Sequence, residues 1–280
     1  MVIKEKLYDV IRILKANNIE NAIFEAHLIL RHYLKMSPTD LLLKQESHID
    51  NDIVSLIDSA VLRRLKNEPL QYILNSQEFM GLDFYVDKNV LIPRQDTEIL
   101  VEHILNHFKG KPINAIDIGT GSGCIAVSVA HFNKNAYIRA LDISSTALKV
   151  AKKNSVINNV SDRISFEVAD IFEYRPYGLY DLIVSNPPYI ETNQITNLDK
   201  NVKDFEPVGA LDGGLDGLDY YRHIVSVAPT FLKKGGMLAF EIGYTQGKQV
   251  SEMMKENFSD IEIIKDLSGN DRVVSGILKL

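Results

Sequence analysis

Apolar residues recur at a helical period through the first 75 residues. No glycine occurs before Gly81, although the chain contains 16. Together these features predict a bundle of four or five helices in residues 1–75. The apolar stripes, spaced i, i+3, i+4 and i+7, comprise Leu7, Val10, Ile11 and Leu14, then Ala22, Ala26, Ile29, Leu30 and Tyr33, and then Val54, Ile57, Val61 and Leu65.

The apolar pattern changes to alternation in residues 76–92, which predicts a β-hairpin that links two parts of the chain. A helical pattern returns in "DTEILVEHILNHF", for which Asp96 or Thr97 is the expected N-cap. The alternating residues of the hairpin are Phe79, Leu82, Phe84 and Val86.

Residues 93–280 alternate strand-like and helical runs. Seven strand-like runs separated by helices predict an α/β fold with parallel βαβ units, in a doubly wound, mostly parallel sheet covered on both faces. The last two runs, "IEIIKDL" and "RVVSGILKL", are joined without a helix. We therefore expect that pair to be antiparallel.

Composition narrows the class of protein. The 280 residues are 45% hydrophobic with a formal net charge of −6, which is typical of a globular chain without the basic excess of nucleic-acid-binding proteins. No apolar run approaches the length of a membrane span, and the first residues mix acids and bases, so we expect a cytoplasmic protein. The single cysteine, Cys124, is expected to be a packing residue.

A glycine-rich loop follows the first strand of the sheet in "IDIGTGSGCIA". A dinucleotide-binding fingerprint would require its third glycine at Cys124, which weakens a nicotinamide interpretation. The spacing instead predicts close backbone approach to another ligand. The candidate cofactor-binding residues of the loop are Gly119, Thr120, Gly121, Ser122 and Gly123.

Three acids accompany this loop at adjacent strand ends. Asp117 precedes it, Asp142 ends the second strand and Asp170 ends the third. A carboxylate at Asp142 can accept both ribose hydroxyls of NAD or of S-adenosylmethionine, so alone it does not discriminate. The combination favours a cationic sulfonium cofactor, with Asp170 accepting from an adenine amino group. The alternative is a flexible turn with helix-capping acids.

The "IVSNPPYI" segment ends a strand abruptly, because two prolines cannot continue it and leave a rigid corner. With "IDIGTGSG" and "LDIS", it resembles class I S-adenosylmethionine-dependent methyltransferases that methylate a planar nitrogen. The longer segments "EPLQYIL", "IPRQDTE", "ALDGGLDGLDYYR" and "EIGYTQG" are similar to release factor glutamine methyltransferases. That resemblance implies a helical substrate-recognition domain in residues 1–75 and a methyltransferase domain in residues 93–280.

The resemblance also implies S-adenosylmethionine as cofactor and the Gly-Gly-Gln glutamine of class 1 peptide chain release factors as substrate. The implied catalytic and substrate-binding residues are Asn186, Pro187, Pro188 and Tyr189. Asn186 is also expected beside the cofactor, with Tyr189 packed on the substrate amide. Ile171 stands where the family commonly has a tryptophan by the adenine.

Several alternatives stay open in the sequence. Arg94, Thr97 and Glu98 either begin a helix or border the pocket. An N6-adenine or other nucleic-acid amino-methyltransferase is an alternative, because adenine also presents a planar amino group to the motif, although the charge balance disfavours a nucleic-acid substrate. The acids of "LDGGLDGLD" lack EF-hand spacing, and the histidines lack partners at ligand spacing, so we predict no metal.

Overall fold

A computed structural model describes residues 1–280, which form two compact units. One unit comprises Met1–Asn75 and Lys200–Phe205, and the other comprises Ser76–Asp199 and Glu206–Leu280. The hairpin segment expected to link two domains therefore belongs to the larger unit. Nothing in the sequence predicted that the segment Lys200–Phe205 would join the helical unit. None of the helices has the length and apolar character that crossing a membrane requires.

The smaller unit is helical, and the predicted apolar stripes form its core. Most stripe residues are buried, while Ile11, Tyr33, Val54 and Leu65 pack partly buried against them. Lys6 is also buried, and its Nζ lies 2.5 Å from Oδ1 of Asp58. The helices are α1 (Ile3–Ala16), α2 (Ala22–Leu34), α3 (Pro38–Leu43), α4 (Asn51–Arg64) and α5 (Leu70–Leu74).

The larger unit begins with the predicted hairpin, in which β1 (Gln77–Phe79) and β2 (Leu82–Phe84) pair antiparallel. A seven-stranded sheet follows, with the order β5-β4-β3-β6-β7-β9-β8. Its strands are β3 (Ile113–Ile118), β4 (Ala136–Asp142), β5 (Ile164–Val168), β6 (Tyr180–Ser185), β7 (Leu232–Glu241), β8 (Phe258–Lys265) and β9 (Asp271–Leu278).

Strand direction matches the prediction for the doubly wound sheet. The pairs from β5 through β7 are parallel, whereas β9 runs antiparallel to both β7 and β8. The helices of this unit are α6 (Asp96–His107), α7 (Cys124–Phe132), α8 (Ser145–Ile157), α10 (Asp219–Phe231) and α11 (Gly247–Met254), while α9 (Lys200–Lys203) lies in the smaller unit.

Apolar side chains cover both faces of the sheet. One core cluster packs α6, α7 and the hairpin residues Phe79 and Phe84 against β3 and β4. The other packs α10 and α11 against the opposite face, around Tyr221 and Phe240. Because β3 pairs with β4 on one side and β6 on the other, the strand order reverses at β3. Ligands of open α/β sheets bind beyond the carboxyl ends of the strands at such a point.

Candidate active site

A cleft lies beyond the carboxyl ends of β3, β4 and β6, where the strand order reverses. Its walls come from the loop after β3, the end of β4, the segments that follow β5 and β6, and the segment between the hairpin and α6. All the candidate cofactor-binding residues line this cleft except Gly123, which begins α7 beside it. The structure thus brings together positions from distant parts of the chain.

Two hydrogen bonds from Thr120 hold the start of the glycine loop. The backbone N–H of Thr120 donates to the carbonyl of Leu141 at 2.8 Å, and the Thr120 hydroxyl donates to Oδ2 of Asp117 at 2.6 Å. Gly123 is the N-cap of α7 with φ 80°, and a Cβ there would lie 3.0 Å from Cβ of Ala151. Glycine at this position therefore permits both the turn and the close helix packing.

Asp142 is the acidic group that organises the loop. Its Oδ2 accepts the N–H of Gly121 and its Oδ1 accepts the N–H of Ser144, both at 2.8 Å. Burial raises the pKa of Asp142, although these two N–H donors oppose the rise. Burial also raises the pKa of Asp117 to about 7, and the nearby Asp142 carboxylate adds to that shift. Of these two carboxylates only that of Asp142 lines the cleft, since Asp117 is fully buried beneath the loop.

The wall after β5 contains both of the predicted residues. Oδ1 of Asp170 accepts the N–H of Phe172 at 2.9 Å, and the side chain of Ile171 is buried. Tyr220 of α10 lines the same cleft, and its ring centroid lies 5.3 Å from that of Phe172. Tyr220 was not predicted from the sequence. It contributes to this wall an aromatic ring, which Ile171 lacks.

The Asn-Pro-Pro-Tyr corner begins where β6 ends. The hydroxyl of Ser185 donates to the carbonyl of Ile118 at 2.7 Å, which fixes the strand end beside β3. Asn186, Pro187 and Pro188 line the cleft. Three of the four predicted residues therefore reach it.

Tyr189 is the one residue of the corner that does not line the cleft. Its ring packs against the core cluster of α10 and α11 and does not line the cleft. Burial raises its pKa to about 12. Its backbone carbonyl accepts a hydrogen bond from Nε2 of Gln246 at 3.1 Å. Tyr189 therefore anchors the corner, and its contact with the substrate amide stays a prediction.

The residues of the segment "IPRQDTE" have different roles, because some line the cleft and one holds the hairpin. Arg94 and Thr97 line the cleft, whereas Oε1 of Glu98 accepts the N–H of Met80 at 2.6 Å and anchors the hairpin. The N-cap of α6 is Gln95, so the expectation of a cap at Asp96 or Thr97 is wrong. Buried Thr97 instead donates its hydroxyl to a buried carboxylate on β7, Glu241.

Replacing Gly217 with alanine is expected to lower the free energy of unfolding by about 1–3 kcal/mol, because a strained backbone costs that much. Gly217 has φ +71°, and a Cβ there would overlap the backbone oxygen of Tyr189. Gly178→Ala is the matched control, since no atom lies within 4 Å of the position that a Cβ would take at Gly178. Urea unfolding of both variants measures the difference, and equal stabilities would contradict the prediction.

Two solved structures share the fold of the chain. A methyltransferase from Pyrococcus furiosus superposes with a TM-score of 0.54 at 18% identity, covering 80% of this chain and 100% of that one. A ribosomal protein L11 methylase from Lactobacillus delbrueckii subsp. bulgaricus gives 0.51 at 19% identity, covering 70% and 84%. Residues 94–202 match the family model of the methyltransferase small domain. The fold, the cleft and this match define an S-adenosylmethionine-dependent methyltransferase.

Relatives that match nearly the whole chain identify the particular methyltransferase family. Residues 6–74 match the PrmC N-terminal domain. The release factor glutamine methyltransferase of Clostridium acetobutylicum is 39% identical over 282 residues, covering 99% of each chain. That of Geobacter sulfurreducens is 40% identical over 264 residues, covering 94% of this chain and 92% of its own. The chain belongs to the release factor glutamine methyltransferase family, as its motifs predicted.

The residues of the cleft fit S-adenosylmethionine chemically. The cofactor carries ribose hydroxyls and a positive sulfonium, and the cleft offers the desolvated carboxylate of Asp142 at the end of β4. The left-handed glycines of the loop leave backbone exposed beside it. Ile171 and Tyr220 provide apolar and aromatic surface for a purine.

Proposed function

We propose that the protein methylates the side-chain nitrogen of the glutamine in the Gly-Gly-Gln motif of class 1 release factors, forming N5-methylglutamine. The observation that carries this proposal is the Asn186–Pro188 corner in the wall of the cofactor cleft, in a chain whose relatives are named for that reaction. Asn186 carries an oxygen acceptor on its side chain and Pro187 one on its backbone, and both residues line the cleft.

The amide nitrogen of the substrate is a weak nucleophile, and Asn186 and Pro187 compensate for this. The lone pair of that nitrogen is delocalised into its carbonyl, so the enzyme must orient and polarise the group. Oδ1 of Asn186 and the carbonyl oxygen of Pro187 each accept one N–H of the substrate amide, which raises electron density on its nitrogen. The prolines restrict the backbone, so these acceptors need little reorganisation during reaction.

The loop residues hold the methyl donor in reach of that nitrogen. Asp142 accepts from the ribose hydroxyls, Asp170 accepts from the adenine amino group, and the glycines allow the backbone to approach. When bound, S-adenosylmethionine supplies an electrophilic methyl group and departs as S-adenosylhomocysteine. The new N–C bond makes the nitrogen more acidic, so its proton leaves to water and no strong base is required at the corner.

The helical unit is proposed to recognise the release factor, because one glutamine side chain offers too little surface to identify a protein. Large apolar side chains remain exposed on that unit and are available for contact with a protein substrate. Such a substrate places the reaction in the cytoplasm, where translation ends. The exposed residues include Tyr8, Phe24, Leu42, Leu43 and Leu62.

Incubation of the purified chain with S-adenosylmethionine and a class 1 release factor is expected to add the mass of one methyl group to its Gly-Gly-Gln peptide. Tandem mass spectrometry locates the group on glutamine. A release factor with alanine in place of that glutamine is the matched control and stays unmodified. DNA, RNA and ribosomes are assayed in parallel with labelled cofactor, and label on nucleic acid alone would overturn the proposal in favour of an adenine methyltransferase.

A further inference from the structure

We propose that Thr97 and Glu241 are positioning residues that fix the orientation of the Asn186 carboxamide, so that its oxygen and not its nitrogen faces the substrate. The inference rests on the proposed function of Asn186 as an acceptor. A carboxamide has one acceptor end and one donor end, and rotating it by half a turn would present N–H groups to the substrate N–H. The acceptor role therefore requires something to hold the donor end.

Three elements bring these residues together. Ser185 of β6 is the register partner of Phe240 on β7, so Asn186 and Glu241 follow at neighbouring strand ends. Thr97 lies in the first turn of α6. Thr97 and Glu241 are each only 1% exposed, so water does not compete for their hydrogen bonds.

The hydrogen bonds run in one direction through this group. Nδ2 of Asn186 donates to Oγ1 of Thr97 at 3.4 Å, and Oγ1 of Thr97 donates to Oε2 of Glu241 at 2.5 Å. The Asn186 side chain also lies close enough to Glu241 to lower the pKa of that carboxyl. Since the single hydroxyl proton of Thr97 goes to the carboxylate, its oxygen can only accept from Asn186. The Nδ2 end is thereby occupied, and Oδ1 remains for the substrate.

The direction of these hydrogen bonds depends on the ionisation of Glu241. Burial raises the pKa of Glu241 to about 7, against the hydrogen bond from Thr97, the charge of Arg272 and the nearby Asn186 amide. A protonated Glu241 can donate a hydrogen bond to Oγ1 of Thr97. The Thr97 hydroxyl can then donate to Asn186, which reverses the direction of the hydrogen bonds. The orientation of the Asn186 carboxamide with Oδ1 toward the substrate is therefore favoured above about pH 7 and lost below it. The other titratable groups that face Glu241 are Asp96 on α6, Cys124 on α7, Tyr189 after β6 and Tyr221 on α10.

Thr97→Val is expected to lower kcat about tenfold, the effect of one lost hydrogen bond, while Thr97→Ser restores it. Valine keeps the shape of threonine without its hydroxyl, and serine keeps the hydroxyl. Affinity for S-adenosylhomocysteine, measured by calorimetry, should be the same for Thr97→Val as for Thr97→Ser, so that the two variants differ only in kcat. A kcat for Thr97→Val within twofold of that for Thr97→Ser would overturn the proposal.

Glu241→Gln is expected to remove the pH dependence that the carboxylate imposes. In the wild type, kcat at saturating cofactor should fall between about pH 8 and about pH 6 as Glu241 gains a proton. Asp117 titrates in the same range, but it is present in both proteins, so the difference between the two profiles belongs to Glu241. Identical profiles would contradict the role of Glu241.

A second readout needs no substrate. In nitrogen-15 NMR spectra, the side-chain NH2 signals of Asn186 are identified by their absence from Asn186→Asp. They should shift with a midpoint near pH 7 in the wild type and in Thr97→Ser, but not in Glu241→Gln. Signals that do not move in the wild type would overturn the inference. If release factor methylation fails, the proposed function is wrong, and these spectra still decide the orientation of Asn186.

Discussion

Asn186→Ala is expected to lower kcat for release factor methylation by roughly 100- to 1,000-fold, the loss typical when one preorganised polar contact to a reacting group is removed. The variant loses the Oδ1 acceptor, so the substrate amide keeps only the Pro187 carbonyl and can turn away from the methyl group. Affinity for S-adenosylhomocysteine should change little, because the glycine loop and Asp142 remain. Single-turnover methylation and calorimetry measure the two quantities separately.

Asn193→Ala is the matched control for this prediction. Asn193 follows the same corner, is exposed and makes no side-chain hydrogen bond to the corner, so its loss should leave kcat unchanged. If Asn186→Ala retained more than a tenth of the wild-type kcat, the acceptor role would be wrong. An equal loss of cofactor affinity would show instead that the variant had collapsed the cleft.

The features predicted from sequence are those encoded locally. The stripe of Leu7, Val10 and Leu14 identifies a buried helix face because side chains at that spacing share one side of a helix. Gly119 and Asp142 could be assigned to one edge because the carboxyl ends of neighbouring parallel strands meet there. The hairpin followed from alternation around Gly81.

The features that were missed depend on contacts between distant segments. Thr97 and Glu241 are 144 residues apart, and only the packing of α6 over β7 joins their side chains. Both fit ordinary local patterns, one as a helix cap and one as a strand end, so neither signalled a shared role. Tyr189 was expected to pack on the substrate amide. Its ring also packs against the core cluster of α10 and α11, a contact between distant segments that the motif does not encode.

Substitution of Asp142 is expected to have a large effect on cofactor affinity, because its carboxylate binds both the loop and the ligand. Both oxygens already accept backbone N–H groups, from Gly121 and Ser144, and each oxygen retains a second lone pair. A ribose diol can use those lone pairs without displacing the loop. Hydrogen bonds to a charged group contribute about 1.5–3 kcal/mol each, so two of them dominate cofactor affinity.

Asp142→Ala is therefore expected to weaken S-adenosylhomocysteine binding by roughly 100-fold or more, since two hydrogen bonds to a charged group are lost and Gly121 loses its acceptor. Asp142→Asn keeps the shape and one acceptor oxygen, so its affinity should fall between that of alanine and that of the wild type. Asp162→Ala, at an exposed turn before β5, is the control and should bind normally. Calorimetry on the three variants measures the order. An Asp142→Ala affinity within threefold of the wild type would show that the ribose binds elsewhere, and the nucleoside site would then have to be reassigned.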